Sequence, residues 1–194
     1  MSNLPQINLA HTAFVAIDLQ NNILAAKTIG PSSADQVLKV NNRLAERLTN
    51  TAALIVQVTV NVHSVQTLFP FKENDQNGST TPNTAQLMMP IAHDPFAKNV
   101  MIINKQNPGA FFGTDLDLQL RRRGIDTIIL TGVSSSNGVY ATALDAYQQH
   151  YRLITVSDAC ADRDPESHQF FFAKIFPRVG WVTDSETLLA NLPA

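Results

Sequence analysis

Cysteine is almost absent from this chain, and neither sign of charge dominates it. The single cysteine, Cys160, excludes an internal disulfide and is typical of a reducing compartment. The 14 lysines and arginines nearly balance the 16 aspartates and glutamates, which leaves a formal net charge of −2. A nucleic-acid-binding surface usually needs a clustered excess of basic residues. We therefore expect no nucleic-acid partner.

Long apolar runs are also missing. No run approaches the roughly 20 apolar residues that a membrane-spanning helix needs, so we expect no membrane association. The first twelve residues, MSNLPQINLAHT, have neither the basic region nor the apolar stretch of a secretory leader. These absences favour a soluble, cytoplasmic protein. The 194 residues, of which 44% are hydrophobic, suffice for one core, and we expect one domain over residues 1–194.

Short apolar segments alternate with segments of helical periodicity along the chain. In the first helical segment, Val37, Val40, Leu44 and Leu48 share one face. Strands on either side of such a helix form a parallel pair with a right-handed crossover. The pattern therefore predicts an α/β protein, a three-layer α/β/α sandwich on a six-stranded, mostly parallel, Rossmann-like sheet. The predicted strands are residues 12–17, 54–60, 100–103, 127–130, 152–156 and 179–182.

The stretch at residues 126–145, DTIILTGVSSSNGVYATALD, carries the strongest functional signal. A buried strand ends at Thr131-Gly132, a polar turn follows at residues 134–137, and helical spacing then begins with Val139 and Ala143. At such a junction the backbone N–H groups of a helix N-terminus converge on an anion. In open α/β sheets, ligands bind beyond the carboxyl ends of the strands. We expect the functional site here.

Two charged residues follow other predicted strands directly. Asp18 comes after the first strand, and Lys105 comes after the third. Each has a simple alternative interpretation, because an aspartate there can cap a turn and a lysine there can be a surface charge. Next to the lysine, Thr114 is a plausible helix N-cap and Gly124 a plausible helix stop.

Cys160 must be considered as a nucleophile, because it is the only thiol. It lies outside the junction, with no histidine nearby in sequence and nothing to indicate a lowered pKa. Free cysteine often packs in protein cores as a small apolar side chain. We therefore interpret Cys160 as a buried core residue.

Residues 61–97 break the alternating pattern and have no clean period. A loop of this length without secondary structure is uncommon in a compact domain unless it is functional or mobile. It is either a solvated excursion or a flap or dimer contact over the ligand site. Asn61-Val62-His63 is the one part of it that resembles a metal motif, discussed below.

The charged residues and the junction together carry a resemblance to the isochorismatase-like hydrolases. Asp18-Leu19-Gln20 resembles the D-x-Q motif of that superfamily, in which the aspartate is the acid/base group. The junction resembles its active-site elbow, here residues 134–139, where Gly138 stands at the position of a nucleophilic cysteine in many members. The matching residues are Lys105, Ala110-Phe111, Gly113-Thr114, Leu116, Leu120, Gly124-Ile125, Thr131-Gly132-Val133, Gly138-Val139, Thr142-Ala143 and Asp145-Ala146.

The resemblance spans nearly the whole chain and implies both a fold and a site. It implies the isochorismatase-like hydrolase fold, and Asp18, Lys105 and Gly138 as the catalytic positions. It also implies a set of substrate-binding residues: Gln20, Phe111, Val133, Ser134 and Asn137. Asn61-Val62-His63 resembles the Asp-x-His metal pair of nicotinamidases, but an amide replaces the carboxylate. We expect no metal and no cofactor.

Three functions are compatible with these residues. The first is a hydrolase that acts on a small carboxylate, enol ether or amide by Asp18 acid/base chemistry, without a cysteine nucleophile. True isochorismatases also carry glycine at the cysteine position and hydrolyse a vinyl ether, although their elbow differs from Ser134-Ser135-Ser136-Asn137. The second is an acyl hydrolase with Ser135 or Ser136 as nucleophile. The third is an inactive family member that binds a small ligand.

An aromatic-rich helix bears on self-association. Asp164-Pro165 begins a predicted helix that continues to Ile175 and carries Phe170, Phe171 and Phe172, with Phe176 directly after it. Together with the long loop, this helix presents more apolar surface than one small domain readily covers. We expect a homodimer or a higher homo-oligomer.

Overall fold

Six parallel strands and the helices that connect them build the fold. The computed structural model describes residues 4–61 and 85–193. The strands are β1 (Thr12–Ile17), β2 (Leu54–Val60), β3 (Val100–Lys105), β4 (Thr127–Val133), β5 (Arg152–Ala161) and β6 (Trp181–Thr183). The helices are α1 (Asn21–Leu24), α2 (Ala34–Leu48), α3 (Leu116–Arg122), α4 (Tyr140–Gln148), α5 (Pro165–Phe170) and α6 (Ser185–Asn191).

The sheet has the order β3-β2-β1-β4-β5-β6, and every neighbouring pair is parallel. The predicted α/β fold with a parallel sheet is therefore confirmed. Strand order reverses between β1 and β4, the two central strands. In a sheet of this type the reversal opens a crevice at the carboxyl ends of the central strands. This crevice lies where β1 ends before Asp18 and β4 ends before Ser134.

Helices cover both faces of the sheet and give it two apolar cores. One core joins β1 and β2 to α2 and α6, and the other joins the sheet to α3, α4 and the segment that follows α5. The first contains Phe14, Ala16, Val37, Leu44, Leu48, Ile55 and Leu188, and the second Val15, Val56, Leu116, Leu120, Val139, Ala143 and Phe176.

Helix α2 begins as its sequence predicts. The Ser33 hydroxyl accepts a hydrogen bond from the Gln36 backbone N–H, and the Gln36 side chain accepts one from the Ser33 backbone N–H. This capping box satisfies two backbone donors that the first turn of a helix leaves unpaired. It anchors the crossover from β1 to β2.

Several element boundaries differ from the prediction. Strand β3 continues to Lys105 and β5 to Ala161, and β6 covers only Trp181–Thr183. Strand β4 continues through Thr131-Gly132 to Val133, and α3 begins at Leu116, with Asp115 rather than Thr114 as its N-cap. Asp115 makes no capping hydrogen bond with its side chain, whereas the Thr114 hydroxyl accepts from the Leu116 N–H at 3.1 Å, as expected of a capping residue, and also donates to the Ala110 carbonyl. The helix expected over residues 164–175 is α-helical only to Phe170 and then widens into a π-helical turn, Phe171–Ile175.

Residues 85–97 belong to the long loop of the sequence analysis, and residues 62–84 lie outside the described part of the chain. Leu87 forms an antiparallel bridge with Gln20, and the Met88 N–H donates to the Leu19 carbonyl at 2.9 Å. Leu87 and Met89 are buried. This end of the loop therefore packs beside the chain that leaves β1.

The aromatic residues near α5 divide between core and surface. Phe176 is fully buried, Phe171 and Phe172 are partly buried, and Phe170 is exposed. Self-association stays a prediction.

Within residues 4–61 and 85–193, no helix has the length and apolar character to cross a membrane.

Gly132 controls how closely β4 approaches β1. It pairs with Ile17, and its φ of +119° lies in a region that residues with side chains rarely adopt. A Cβ atom here would lie 2.2 Å from the Ile17 carbonyl oxygen. The pairing of β4 with β5 also shifts register between Leu130 and Gly132. Glycine thus lets the ends of the two central strands meet.

We expect Gly132→Ala to lower the free energy of unfolding by about 3 kcal/mol or more, because the new methyl group overlaps the backbone of Ile17. Gly113→Ala is the matched control. It also places alanine at positive φ, but its Cβ meets only the Asn107 side chain, at 3.6 Å. Its loss should be about 1–2 kcal/mol. Urea unfolding followed by circular dichroism measures both, and equal losses would contradict the close approach.

Candidate active site

Asp18 occupies the turn that ends β1. Its φ is +54°, a left-handed conformation that aspartate tolerates better than most residues. Its backbone N–H donates to the Val58 carbonyl at 2.9 Å, and its carbonyl accepts from the Gln20 N–H at 2.8 Å. The N–H of Asp18 is therefore held by β2, and its carbonyl by the chain that leaves β1.

Lys105 reaches Asp18 from two strands away. It ends β3, and β2 lies between β3 and β1, so the two backbones are separated by about 10 Å. The extended lysine side chain crosses this gap, and its Nζ lies 2.9 Å from Asp18 Oδ2. Nζ also donates to the Pro108 carbonyl. Both partners of this ion pair are buried.

Burial changes the proton affinity of Asp18. Loss of hydration raises the pKa of its carboxyl to about 6, although the charge and hydrogen bond of Lys105 oppose the rise. Oδ2 faces Lys105, whereas Oδ1 is buried without a hydrogen-bond partner among the described residues. A proton on Asp18 is therefore best placed on Oδ1, and Oδ1 is the atom free to meet a ligand.

Gly138 lies directly against this ion pair. It belongs to a π-helical turn, Ser135–Val139, that leads into α4. A Cβ atom on Gly138 would lie 3.1 Å from both Asp18 Oδ2 and Lys105 Nζ. A side chain at this position would thus contact both charges. That Gly138 occupies the position of a nucleophile stays a prediction.

The loop after β3 is tied to the elbow by Thr142. The Thr142 hydroxyl donates to the Gly138 carbonyl at 2.7 Å and accepts from the Ala110 N–H at 3.1 Å. Lys105 holds the same loop through Pro108. The elbow, the loop and the ion pair therefore form one hydrogen-bonded unit.

The remaining predicted residues of the elbow differ in exposure. Val133 is buried at the end of β4, Ser134 is half-buried, and Asn137 is exposed. The Ser134 carbonyl accepts hydrogen bonds from the N–H groups of Asn137 and Val139, each at 3.1 Å. These three residues lie beside Gly138, and their contact with a substrate stays a prediction.

The other two predicted substrate-binding residues are engaged within the protein. The Gln20 amide is buried, and it exchanges hydrogen bonds with the Val60 N–H at 2.8 Å and the Val60 carbonyl at 3.2 Å. Phe111 packs in a core, with its ring centroid 5.7 Å from that of Tyr151. A direct role of either side chain in substrate binding stays a prediction.

Asp162 and His168 contact the elbow, although neither was predicted to belong to the site. Asp162 Oδ2 accepts from the Ser136 N–H and hydroxyl, each at 2.7 Å. His168 Nδ1 lies 2.8 Å from Ser135 Oγ. Asp162 directly follows β5 as Asp18 follows β1, but the strand predicted from the sequence ends at residue 156, so that signal was not available for it.

Cys160 is fully buried in β5, and burial raises the pKa of its thiol. Among residues 4–61 and 85–193, no three His, Cys, Asp or Glu side chains are grouped as a metal site would need. His63 lies outside the described residues. The absence of a metal and of a cofactor therefore stays a prediction.

Comparison with known proteins gives the same family along the whole chain. The isochorismatase domain model matches residues 12–187. The uncharacterized isochorismatase family proteins YecD of Escherichia coli O157:H7 and YwoC of Bacillus subtilis are each 34% identical over 193 residues. These alignments cover 96% of this chain and 99% of YecD, and 99% of this chain and 100% of YwoC. The maleamate amidohydrolase of Pseudomonas putida is 33% identical, over 47% of this chain and 43% of its own length.

Solved structures agree with this assignment. An isochorismatase family protein from Burkholderia thailandensis superposes with a TM-score of 0.77 at 30% identity, covering 98% of this chain and 99% of that one. The nicotinamidase PncA of Bacillus subtilis has a TM-score of 0.70 at 26% identity, covering 90% of this chain and 99% of its own. With a family model over most of the chain and full-length relatives, the protein belongs to the isochorismatase family of hydrolases.

Proposed function

We propose that this protein hydrolyses a small carboxylate, enol-ether or amide substrate with Asp18 as the acid/base group and without a cysteine nucleophile. The observation that carries the proposal is the buried Asp18–Lys105 pair, which faces a glycine at the position of the nucleophile. Glycine offers no attacking atom. The reactive group of the site is then the carboxyl, and water must supply the nucleophile.

Asp18 Oδ1 is suited to donate a proton. It is buried and has no hydrogen-bond partner among the described residues, and burial raises the carboxyl's pKa to about 6. A carboxyl with such a pKa is partly protonated near neutral pH, which is the condition for general acid catalysis. Lys105, bound to Oδ2, stabilises the carboxylate that remains after transfer.

For an enol-ether substrate, the proposed hydrolysis needs no covalent intermediate with the enzyme. Asp18 donates its proton to the enol carbon, and the carbon that bears the ether oxygen becomes an oxocarbenium ion. Water adds to that carbon and returns a proton to Asp18, and the resulting hemiketal separates into a ketone and an alcohol.

With an amide, Asp18 would first accept the proton of the attacking water and then deliver it to the leaving nitrogen. The amidohydrolase and nicotinamidase names among the relatives support this second substrate class.

A serine nucleophile is less well supported. Ser135 Oγ has a histidine at 2.8 Å, as a nucleophile would require, but Ser135 is fully buried. The Ser136 hydroxyl donates to Asp162 rather than to a histidine. Neither arrangement presents an activated hydroxyl to a substrate. The ligand-binding, inactive alternative is tested by the variants below.

We expect Asp18→Asn to lower kcat by about a hundred- to ten-thousand-fold on a substrate found by screening enol ethers, amides and small carboxylates. The amide keeps the shape of the side chain but delivers no proton, so ligand affinity should largely survive. Asp184→Asn is the matched control, because Asp184 caps α6 and asparagine caps helices equally well. Steady-state kinetics and calorimetric binding separate the two effects. Wild-type turnover in Asp18→Asn would exclude the acid/base assignment, and no turnover in the wild type against the whole screen would favour the inactive alternative.

The pH dependence should report the role of Asp18. If the protonated carboxyl is the reacting form, kcat/KM is constant well below pH 6 and falls about tenfold per pH unit above it. If the carboxylate instead accepts a proton from water first, kcat/KM rises as the pH increases through 6 and is constant well above it. In either case, the residual activity of Asp18→Asn should not show this pH dependence. A profile that is flat from pH 5 to 7 in the wild type would contradict the proposal.

Iodoacetamide should leave the activity of the folded protein intact, because the thiol of Cys160 is fully buried and its pKa is raised. Protein unfolded in guanidinium is the control for labelling and should take up one equivalent. Gly138→Cys should label rapidly when folded, since its thiol would lie beside Lys105. Mass spectrometry after timed exposure gives the rates. Inactivation of the folded wild type through Cys160 would revive a thiol mechanism.

A further inference from the structure

The elbow is held from behind by the segment that follows β5. The Asp162 carboxylate is buried and accepts three hydrogen bonds. Its Oδ2 accepts from the Ser136 N–H and hydroxyl at 2.7 Å each, and its Oδ1 accepts from the Asp164 N–H at 3.1 Å. Its charge is therefore stabilised by N–H and O–H donors, and one of those donors is the elbow backbone itself.

Ser135 is held in the same way by a second side chain of this segment. Ser135 Oγ lies 2.8 Å from His168 Nδ1 and 3.1 Å from the Ala161 carbonyl oxygen. A hydroxyl has one proton, and a carbonyl can only accept. All three groups are satisfied when Oγ–H donates to Ala161 and His168 Nδ1–H donates to Oγ. Burial lowers the pKa of His168, which favours its neutral form.

The residues that contact the elbow are themselves fixed. The His168 ring packs on Phe172, with a centroid distance of 4.5 Å. Gly30 and Asp162 exchange two backbone hydrogen bonds, of 2.9 and 2.8 Å. A Cβ atom on Gly30 would lie 2.8 Å from Pro165 Cγ, so the N-terminus of α5 packs directly on Gly30. The segment therefore provides a rigid support.

The elbow needs such support because of its own composition. Ser134-Ser135-Ser136-Asn137-Gly138 contains no large side chain that could anchor it in a core, and glycine has the greatest backbone freedom of any residue. Yet Gly138 must stay within contact distance of Asp18 and Lys105. Val139, the last residue of the elbow, is anchored in a core, and the positions of residues 134–138 depend in addition on hydrogen bonds from outside the turn.

We propose that His168 and Asp162 are positioning residues, which hold Ser135 and Ser136 so that Gly138 remains packed against the Asp18–Lys105 pair. Neither residue touches the reacting atoms. This inference rests on the proposed function in one respect, since it takes the elbow to be a wall of the catalytic site. It adds two residues that the site requires for its geometry.

The inference has a consequence for Asp18 that can be measured without a substrate. If the elbow loosens, water reaches the Asp18 carboxyl, and hydration stabilises the carboxylate. The titration midpoint of Asp18 should then fall from about 6 towards its ordinary value of 3.8. Loss of a hydrogen bond elsewhere in the fold should leave this midpoint unchanged.

The test is a carbon-13 NMR titration of protein labelled at the aspartate carboxyls, with the Asp18 signal assigned by its loss in Asp18→Asn. We expect His168→Leu, which removes the ring nitrogen, to lower the Asp18 midpoint by about one pH unit. Hydrogen exchange of the Gly138 and Val139 amides should accelerate about tenfold or more. His168→Asn, whose amide can donate to Ser135, should restore most of both values.

Ser135→Ala keeps the test decisive if His168→Leu does not fold, because it removes only the hydroxyl. Tyr151→Phe is the control for the loss of a hydroxyl elsewhere in the fold, since it deletes the 2.7 Å hydrogen bond to Asp117. The proposal would be overturned if Ser135→Ala and His168→Leu changed the Asp18 midpoint and the elbow exchange rates no more than Tyr151→Phe does.

The result is independent of the proposed function. A shifted midpoint in His168→Leu, together with wild-type turnover in Asp18→Asn, would retain the positioning role and reject the acid/base role. An unshifted midpoint in His168→Leu, together with loss of turnover in Asp18→Asn, would retain the acid/base role and reject the positioning role.

Discussion

The buried ion pair between Asp18 and Lys105 is the interaction on which the site depends. Removing two charges from water is expensive, and a buried pair often stabilises a fold less than apolar residues would. This pair also spans the width of β2, so it forms only if β1, β2 and β3 end at the same level. The parallel sheet meets that condition, and the left-handed turn at Asp18 directs the carboxylate into the gap. This geometry leaves one oxygen of the carboxyl, Oδ1, buried and without a hydrogen-bond partner among the described residues.

Two glycines allow the backbone to approach this pair. Gly132 lets β4 lie against Ile17, and Gly138 lets the elbow lie against both charges. In each case the absence of a side chain lets the backbone of the glycine approach its neighbours closely. The two positions differ in consequence, because a side chain at 132 would collide with main-chain atoms, whereas one at 138 would meet the movable ends of two side chains. A side chain at 138 therefore needs only small shifts of neighbouring side-chain ends, whereas one at 132 needs the backbone to move.

Much of the site could be predicted because its parts have local signals. Asp18 directly follows a short apolar run, Lys105 follows one after Asn104, and Gly138 lies in a strand–turn–helix sequence. The boundary of β4 has a tertiary cause, because the strand extends through Gly132 where β1 is there to pair with it. Gln20 and Phe111 lie near the site in sequence, but their side chains are engaged by Val60 and Tyr151, which no local pattern indicates.

The sequence by itself determined the alternation of strands and helices, the parallel α/β architecture and the candidate acid, base partner and glycine. These features depend on hydrophobic periodicity and on residues that follow strand ends, which act over a few positions. Only the tertiary structure decided that Lys105 crosses β2 to Asp18, that Asp18 Oδ1 lacks a partner among the described residues, and that His168 supports Ser135 from 33 residues away. The physical reason is that such contacts depend on how distant elements pack, because burial and pairing are properties of the assembled fold.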